Sequence, residues 1–212
     1  MFEEVKNIVL DFNGVISKAN KGDVVKNLSF NDVCDLVKYS FSFLTKSGFR
    51  KEVLESYKNL KVGTTTCKSI FDLFDSTYPY NSDAIENFVD NYVDSMRTRE
   101  GLVRLVDFLR FNGFKVFVLS NSIPKTEKLI HDEAFKKHFD GVYCSSEQGL
   151  AKPNLAVFDD ACKMWGISPE ETLFVDDNKQ NVKGALKSGF YDAACLTREE
   201  DIIEFISEYT IY

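Results

Sequence analysis

Several stretches of the chain run apolar and then break abruptly into acid, hydroxyl or amide. Asn7-Ile8-Val9-Leu10 ends at Asp11 and continues as Phe12-Asn13-Gly14-Val15. Phe114-Lys115-Val116-Phe117-Val118-Leu119 ends at Ser120-Asn121-Ser122, and Thr172-Leu173-Phe174-Val175 ends at Asp176-Asp177-Asn178. Gly141-Val142-Tyr143-Cys144-Ser145 is a weaker copy. Short β-branched and aromatic runs closed by turn residues read as buried strands. Between them the apolar spacing becomes helical: Leu102, Leu105, Val106, Phe108 and Leu109 precede the strand at 114, and Ala156, Val157, Ala161 and Met164 precede the strand at 172. This alternation predicts an α/β fold, a Rossmann-like parallel sheet of about five strands covered by helices. In such open sheets ligands bind at the carboxyl ends of the strands, where the polar residues cluster here.

Residues 16 to about 100 follow another pattern, with no strand-like run. Val33, Leu36, Val37, Ser40, Phe41 and Leu44 form one helical stripe. Ile70, Leu73 and Phe74 begin a second, capped at Thr66 or a neighbour, and Ile85, Phe88, Val89, Tyr92, Val93 and Met96 form a third. These stripes are expected to pack as core. Gly63, just before Thr64-Thr65-Thr66, marks a tight turn. The expected organisation is a core of residues 1–15 and 101–212, with a helical cap domain, residues 16–100, inserted after the first strand.

Composition narrows the chemistry. A chain of 212 residues suits one domain or one with a modest insertion, and 44% apolar residues is a globular composition. A formal charge of −7 is a poor match for nucleic acid or an anionic membrane. No apolar run approaches a membrane helix, and the apolar run near the N-terminus is too short for a signal peptide. Cysteines 34, 67, 144, 162 and 195 are odd in number and form no Cys-x-x-Cys pair, so a disulfide scaffold is not expected and a cytoplasmic location is. Two histidines, 131 and 138, leave little for a zinc site or a His-based triad and direct attention to carboxylates. They fall on one helical stretch, Lys125 to Phe139, read as a solvated face. Trp165 is expected in the core, Cys162 and Cys195 as small buried hydrophobes, and Glu199-Glu200-Asp201 as an acidic first helix turn.

Singly, each polar motif has a local explanation. Asp11 suits a turn, Ser120-Asn121-Ser122 a cap before Pro124, Lys152 a solvated position before a helix starting at Pro153, and Asp176-Asp177-Asn178 a cap plus turn. Together, an acid, a hydroxyl, a lysine and an acid pair, in that order, converge on one sheet edge. That set suits phosphoryl transfer. A carboxylate can attack phosphorus and divide one hard step into two. Asp11 with Asp176 and Asp177 offers the oxygen ligands that Mg²⁺ favours. Lys152 and Ser120, with Asn121, can hold phosphoryl oxygens.

In these residues the chain resembles the haloacid-dehalogenase-like hydrolases, a family of aspartate-nucleophile phosphatases. Asp11-Phe12-Asn13-Gly14-Val15 resembles the first family motif, Ser120 the second, Lys152 the third and Asp176-Asp177 the fourth. The inserted helices resemble the cap of small cytosolic sugar-phosphate phosphatases, such as the bacterial α-glucose-1-phosphate phosphatase type. The resemblance implies Asp11 as nucleophile and Mg²⁺ ligand and the Asn13 carbonyl as a second ligand. It implies Asp177 as a direct ligand with Asp176 beside it, and Ser120 and Lys152 on the phosphate of a small phosphorylated metabolite. It also places the turn near Gly63 over the pocket, where it would help select substrate.

One residue departs from the pattern. Most family phosphatases carry Asp two residues after the nucleophile, where it protonates the leaving oxygen and then activates water; here the residue is Asn13. An amide cannot move that proton, and a positioned acid or base typically contributes roughly 10²- to 10⁴-fold. Three explanations stand: a substrate with a good leaving group, such as an anomeric sugar phosphate; a cap residue or water in place of the acid; or a weak or inactive site that binds a phosphate ligand. The glucose-1-phosphatase type also lacks this acid. A 2-haloacid dehalogenase would attack carbon without a metal, and family dehalogenases usually carry Tyr where Asn13 stands. Asn13 and the acid pair argue against that chemistry.

Overall fold

The computed structural model describes residues 5–26, 28–62, 64 and 83–210. The turn at Gly63, Cys67, and the stripe expected from Thr66 to Phe74 lie outside the described residues. Five parallel strands form the main sheet: β1 (Asn7–Leu10), β4 (Lys115–Ser120), β5 (Gly141–Cys144), β6 (Thr172–Asp176) and β7 (Asp192–Cys195), in the order β5-β4-β1-β6-β7. The fold is α/β, as the alternating pattern predicts. β1 is central, and Ile8, Val9 and Leu10 are buried, as an unbroken apolar run in a parallel sheet should be. Ile8 and Leu10 join Val116, Val118, Leu173 and Val175 on one face, under the helices Glu100–Phe111 and Glu199–Thr210. Val9 joins Phe117, Leu119 and Phe174 on the other, under Leu155–Trp165 and Lys179–Lys187. Strand order reverses at β1, and Asp11 follows it at that switch point.

The segment after β1 differs from expectation in two respects. It does contain strands: β2 (Ser17–Ala19) pairs antiparallel with β3 (Met96–Thr98), with Ala19 opposite Met96 and Ser17 opposite Thr98. Three residues are too few to display a period of two, so the pattern left them unseen. Between them lie the helices Lys21–Lys26, Phe30–Thr45, Ser47–Lys61 and Asp83–Asp94. Second, the stripes are not wholly core. Phe88 and Tyr92 are 37% and 38% exposed, because they face a cleft. Val33 and Val37 are also exposed; Tyr39 is buried instead, with its ring centroid 6.0 Å from that of Phe49.

Smaller corrections have local causes. The stretch from 125 to 139 is two helices, Pro124–Ile130 and Glu133–Lys136, because Asp132 Oδ1 accepts from Ala134 N and Phe135 N and restarts the turn. Its two histidines are each set against a carboxylate, His131 Nε2 3.0 Å from Glu147 and His138 Nδ1 2.7 Å from Asp107. The helix expected at Pro153 starts at Leu155, capped by Asn154. Trp165 stacks on Phe117, and Cys162 is buried. Cys195 is only partly buried, its Sγ donating to the Asp177 carbonyl at 3.4 Å.

Candidate active site

Asp11 extends β1 by one residue, its N–H donating to Val175 O at 2.9 Å, and the chain then curls tightly. Gly14 N donates to Ser17 O at 2.7 Å and Ser17 N to Phe12 O at 2.8 Å. Gly14 adopts φ +89°, and a Cβ on it would lie 2.2 Å from Asp177 Oδ2. Glycine here both supplies the backbone conformation and lets the turn touch Asp177. Gly14→Ala is therefore expected to displace the Asp177 carboxylate; if Asp177 is a ligand of a divalent cation, the affinity for that cation drops by about 10- to 100-fold, the range seen for supports of a metal ligand. A calorimetric Mg²⁺ titration reads this, and unchanged affinity would count against Asp177 as a ligand.

Lys152 is the centre of the site. Its side chain is fully buried, and Nζ donates to Asp11 Oδ1 at 2.6 Å, Asp176 Oδ2 at 2.6 Å and Leu119 O at 2.7 Å, engaging all three protons. Asn121 fixes this lysine from the backbone side: Nδ2 donates to Lys152 O and Oδ1 accepts from Lys152 N, each at 2.8 Å. Asp176 also accepts from Asn178 N at 2.8 Å and from Asn181 Nδ2 at both oxygens. Asp177, by contrast, is exposed. Carboxylate oxygens of Asp11, Asp176 and Asp177 lie within 4.8 Å of one another.

The electrostatics follow from this crowding. Burial pushes the Asp11 carboxyl up from 3.8 to about 7; Lys152 opposes the rise, and Asp176 and Asp177 add to it. Burial also raises Asp177, reinforced by Asp176. At Lys152 burial works against the charge, but Asp11 and Asp176 outweigh it and hold the ammonium above its ordinary range. Three carboxylates face one ammonium, a negative excess that a divalent cation would neutralise. Four buried polar atoms around the site have no hydrogen-bond partner among the described residues: Ser120 Oγ, Asn13 Oδ1, Asn181 Oδ1 and Arg99 Nη1. Orphaned polar atoms at a strand end are what a bound anion or ligand would satisfy.

Two supports escaped the sequence reading. Asn181 lies five residues beyond Asp176, one helical turn into the next element, a spacing that could have been noticed. Arg99 gave no signal. Its N–H donates to Ile16 O at 2.9 Å, and Nη2 donates to Gly14 O at 3.0 Å and Thr197 O at 2.8 Å, bracing the turn after Asp11 from behind. Beside the carboxylates opens a cavity of about 300 Å³, lined by Asn13, Asn121 and Thr126 and, from the inserted helices, by Tyr57, Phe88 and Tyr92.

Residues 5–189 match the haloacid dehalogenase-like hydrolase model, and the chain belongs to that family. A glyceraldehyde 3-phosphate phosphatase from Methanothermobacter thermautotrophicus is 34% identical over 88 residues, a match covering 40% of this chain and 38% of that protein. The chain thus spans well under half the length of this curated relative. A family enzyme from Bacteroides thetaiotaomicron shares the fold at TM-score 0.74 and 20% identity, over 96% of this chain and 98% of that one. That enzyme is also known in complex with magnesium and inorganic phosphate. A predicted hydrolase of the family from Porphyromonas gingivalis is 26% identical, with TM-score 0.69 over 98% of both chains.

Proposed function

We propose that this protein hydrolyses a small phosphate monoester with Mg²⁺, through an aspartyl-phosphate at Asp11. The observation that carries the reading is the buried Lys152 held between Asp11 and Asp176, with the unpartnered Ser120 Oγ at the neighbouring strand end. The phosphatase among its relatives and the magnesium-and-phosphate complex of the Bacteroides enzyme support it. In this reading Asp11 attacks phosphorus, the bond to the leaving oxygen breaks, and water then releases phosphate from Asp11. Ser120 holds a phosphoryl oxygen, and Lys152, positioned by Asn121, turns the proton it gives Asp11 Oδ1 toward the phosphoryl group once Asp11 is esterified. Asp11, Asp177 and the Asn13 carbonyl would hold Mg²⁺, with Asp176 beside them. The ion would supply positive charge for the transferring group.

The test is steady-state hydrolysis of acetyl phosphate. Asp11→Asn is expected to remove at least about 10⁴-fold of the turnover, and EDTA to abolish it. Hydrolysis persisting in EDTA would overturn the Mg²⁺-dependent reading, and halide release from a 2-haloacid in EDTA would favour dehalogenation. A second reading, a phosphate-binding module that does not turn over, is favoured by Asn13 alone; repeated turnovers exclude it. The partner is a small phosphorylated molecule rather than nucleic acid or membrane: net charge is −7, and among the described residues no helix is long and apolar enough to cross a membrane. A cytoplasmic setting accords with the free Cys34, Cys144, Cys162 and Cys195.

The raised Asp11 carboxyl gives a pH prediction. Its folded value, about 7, lies above the ordinary 3.8, so between these limits the metal-free folded state binds more protons than the unfolded one. Stability of the metal-free protein should fall as pH rises across that interval, while Mg²⁺ affinity rises. Near neutral pH Mg²⁺ should displace a proton, visible as a buffer-dependent heat of binding that fades at more alkaline pH. A heat independent of buffer would show that Asp11 is already ionised.

A further inference from the structure

The cavity beside Asn13 is the part of the molecule that the phosphoryl chemistry leaves unassigned. It adjoins the phosphoryl site: of its lining residues, Asn13 lies two residues beyond Asp11 and Asn121 directly follows Ser120. It is the space on this side of the site into which a group esterified to the phosphate can extend. At about 300 Å³ it has room for roughly ten water-sized groups of ~30 Å³ each.

Among the described residues its polar inventory is nearly closed. The Asn121 amide is engaged at both ends by the Lys152 backbone. Thr126 Oγ1 accepts from Ile123 N at 3.1 Å and donates to Ile123 O at 2.9 Å. That leaves the Asn13 amide, whose Oδ1 is buried without a partner, and the two phenol hydroxyls of Tyr57 and Tyr92. The remaining wall is the Phe88 ring, the faces of Tyr57 and Tyr92, and Val89 and Ile123. Phe88 and Tyr92 stay more than a third exposed although each is large and apolar over most of its surface. Burial raises both tyrosine pKa values, and Asp11 contributes to each rise, which places the phenols within reach of the site's charge.

Resting on the phosphatase reading above, we propose that the alcohol half of the substrate is a flat, largely apolar group, an aryl-alkyl or unsaturated alcohol, inserted among Tyr57, Phe88 and Tyr92. A hexose would bring four free hydroxyls to a wall that, among the described residues, offers three open polar groups set in aromatic surface, and would leave that surface uncovered and at least one hydroxyl without a partner. A ring or unsaturated chain would instead cover the exposed aromatic surface. It stands as the alternative to the sugar phosphate expected from the sequence.

The experiment compares 2-phenylethyl phosphate with glucose 6-phosphate. Both leave as primary alkoxides, so the missing acid affects them alike and the ratio of kcat/KM reads the cleft. A preference for 2-phenylethyl phosphate of at least about tenfold is expected, narrowing to under about threefold in Phe88→Ala. Equal rates, or a preference for glucose 6-phosphate, would overturn the proposal. Acetyl phosphate has nothing to fill the cleft and tests the chemistry separately. If it turns over while the preference is absent, the phosphatase reading stands and the substrate class falls. If no ester turns over, the phosphatase reading fails, and calorimetry with Mg²⁺ and 3-phenylpropylphosphonate against methylphosphonate reads the cleft directly. Tighter binding of the phenyl compound by about tenfold or more upholds the apolar subsite; equal binding rejects it.

Discussion

Lys152→Met is expected to lower the melting temperature by roughly 6–20 °C and to abolish turnover. Methionine fills much of the same volume, so the loss is electrostatic. The ammonium sits between Asp11 and Asp176 with no exposure of its own, and Asp176 is likewise fully buried. Removing one partner from a buried ionic group strands the other charges, which costs about 3–5 kcal/mol. For a chain of this size each kcal/mol shifts melting by roughly 2–4 °C. Part of the loss should return at low pH, where Asp11, with its carboxyl near 7, accepts a proton and ceases to need the cation. Thermal melts of both proteins at pH 5 and pH 8 check this. Melting that is unchanged at either pH would mean that Lys152 is dispensable to the core and that its carboxylate partners find water instead.

Asn13→Asp is expected to raise kcat on alkyl phosphates by about 10²- to 10⁴-fold while changing para-nitrophenyl phosphate far less. The residue lies on the turn after Asp11 and lines the cleft that would receive the leaving group. A carboxyl there can protonate a departing alkoxide, which needs help, whereas nitrophenolate does not. The contrast between the two substrates is the diagnostic, since a general improvement in the site would raise both. If the variant gains nothing on alkyl phosphates, the leaving oxygen does not depart toward residue 13, and the cleft cannot be the leaving-group pocket.

Four of the five strands were legible because each carries a short apolar run and the residue after it changes character at once; β7, Asp192–Cys195, is only partly buried and shows no such run. Asp11, Ser120, Asp176 and Asp177 could be grouped for the same reason: parallel strands bring their carboxyl ends to one edge, so order along the chain became proximity in space; Lys152 lies on no strand and was grouped with them by its place in the chain order alone. What failed was the inserted segment. β2 and β3 are too short to show a period, and Phe88 and Tyr92 recur at the spacing of a buried face although they border a cleft. Helical spacing reports that one side of a helix is apolar, and an open pocket satisfies that condition as well as a core does. Arg99 was invisible because it acts on carbonyls, Gly14 O and Thr197 O, and a carbonyl leaves no mark in a side-chain pattern.

The β2–β3 ribbon makes the insertion interchangeable. Ala19 and Met96 face each other across an antiparallel rung, so the chain departs from the sheet and returns to it through one doorway two strands wide. More than seventy intervening residues can lengthen, shrink or be exchanged without altering the distance the main sheet must bridge, and replacing residues 20–95 by a short hairpin turn would leave β1 and its neighbours in register. In the proposed reading, Tyr57, Phe88 and Tyr92 lie beyond that doorway and the carboxylates and lysine before it, so exchanging the segment changes what is received and leaves in place what reacts.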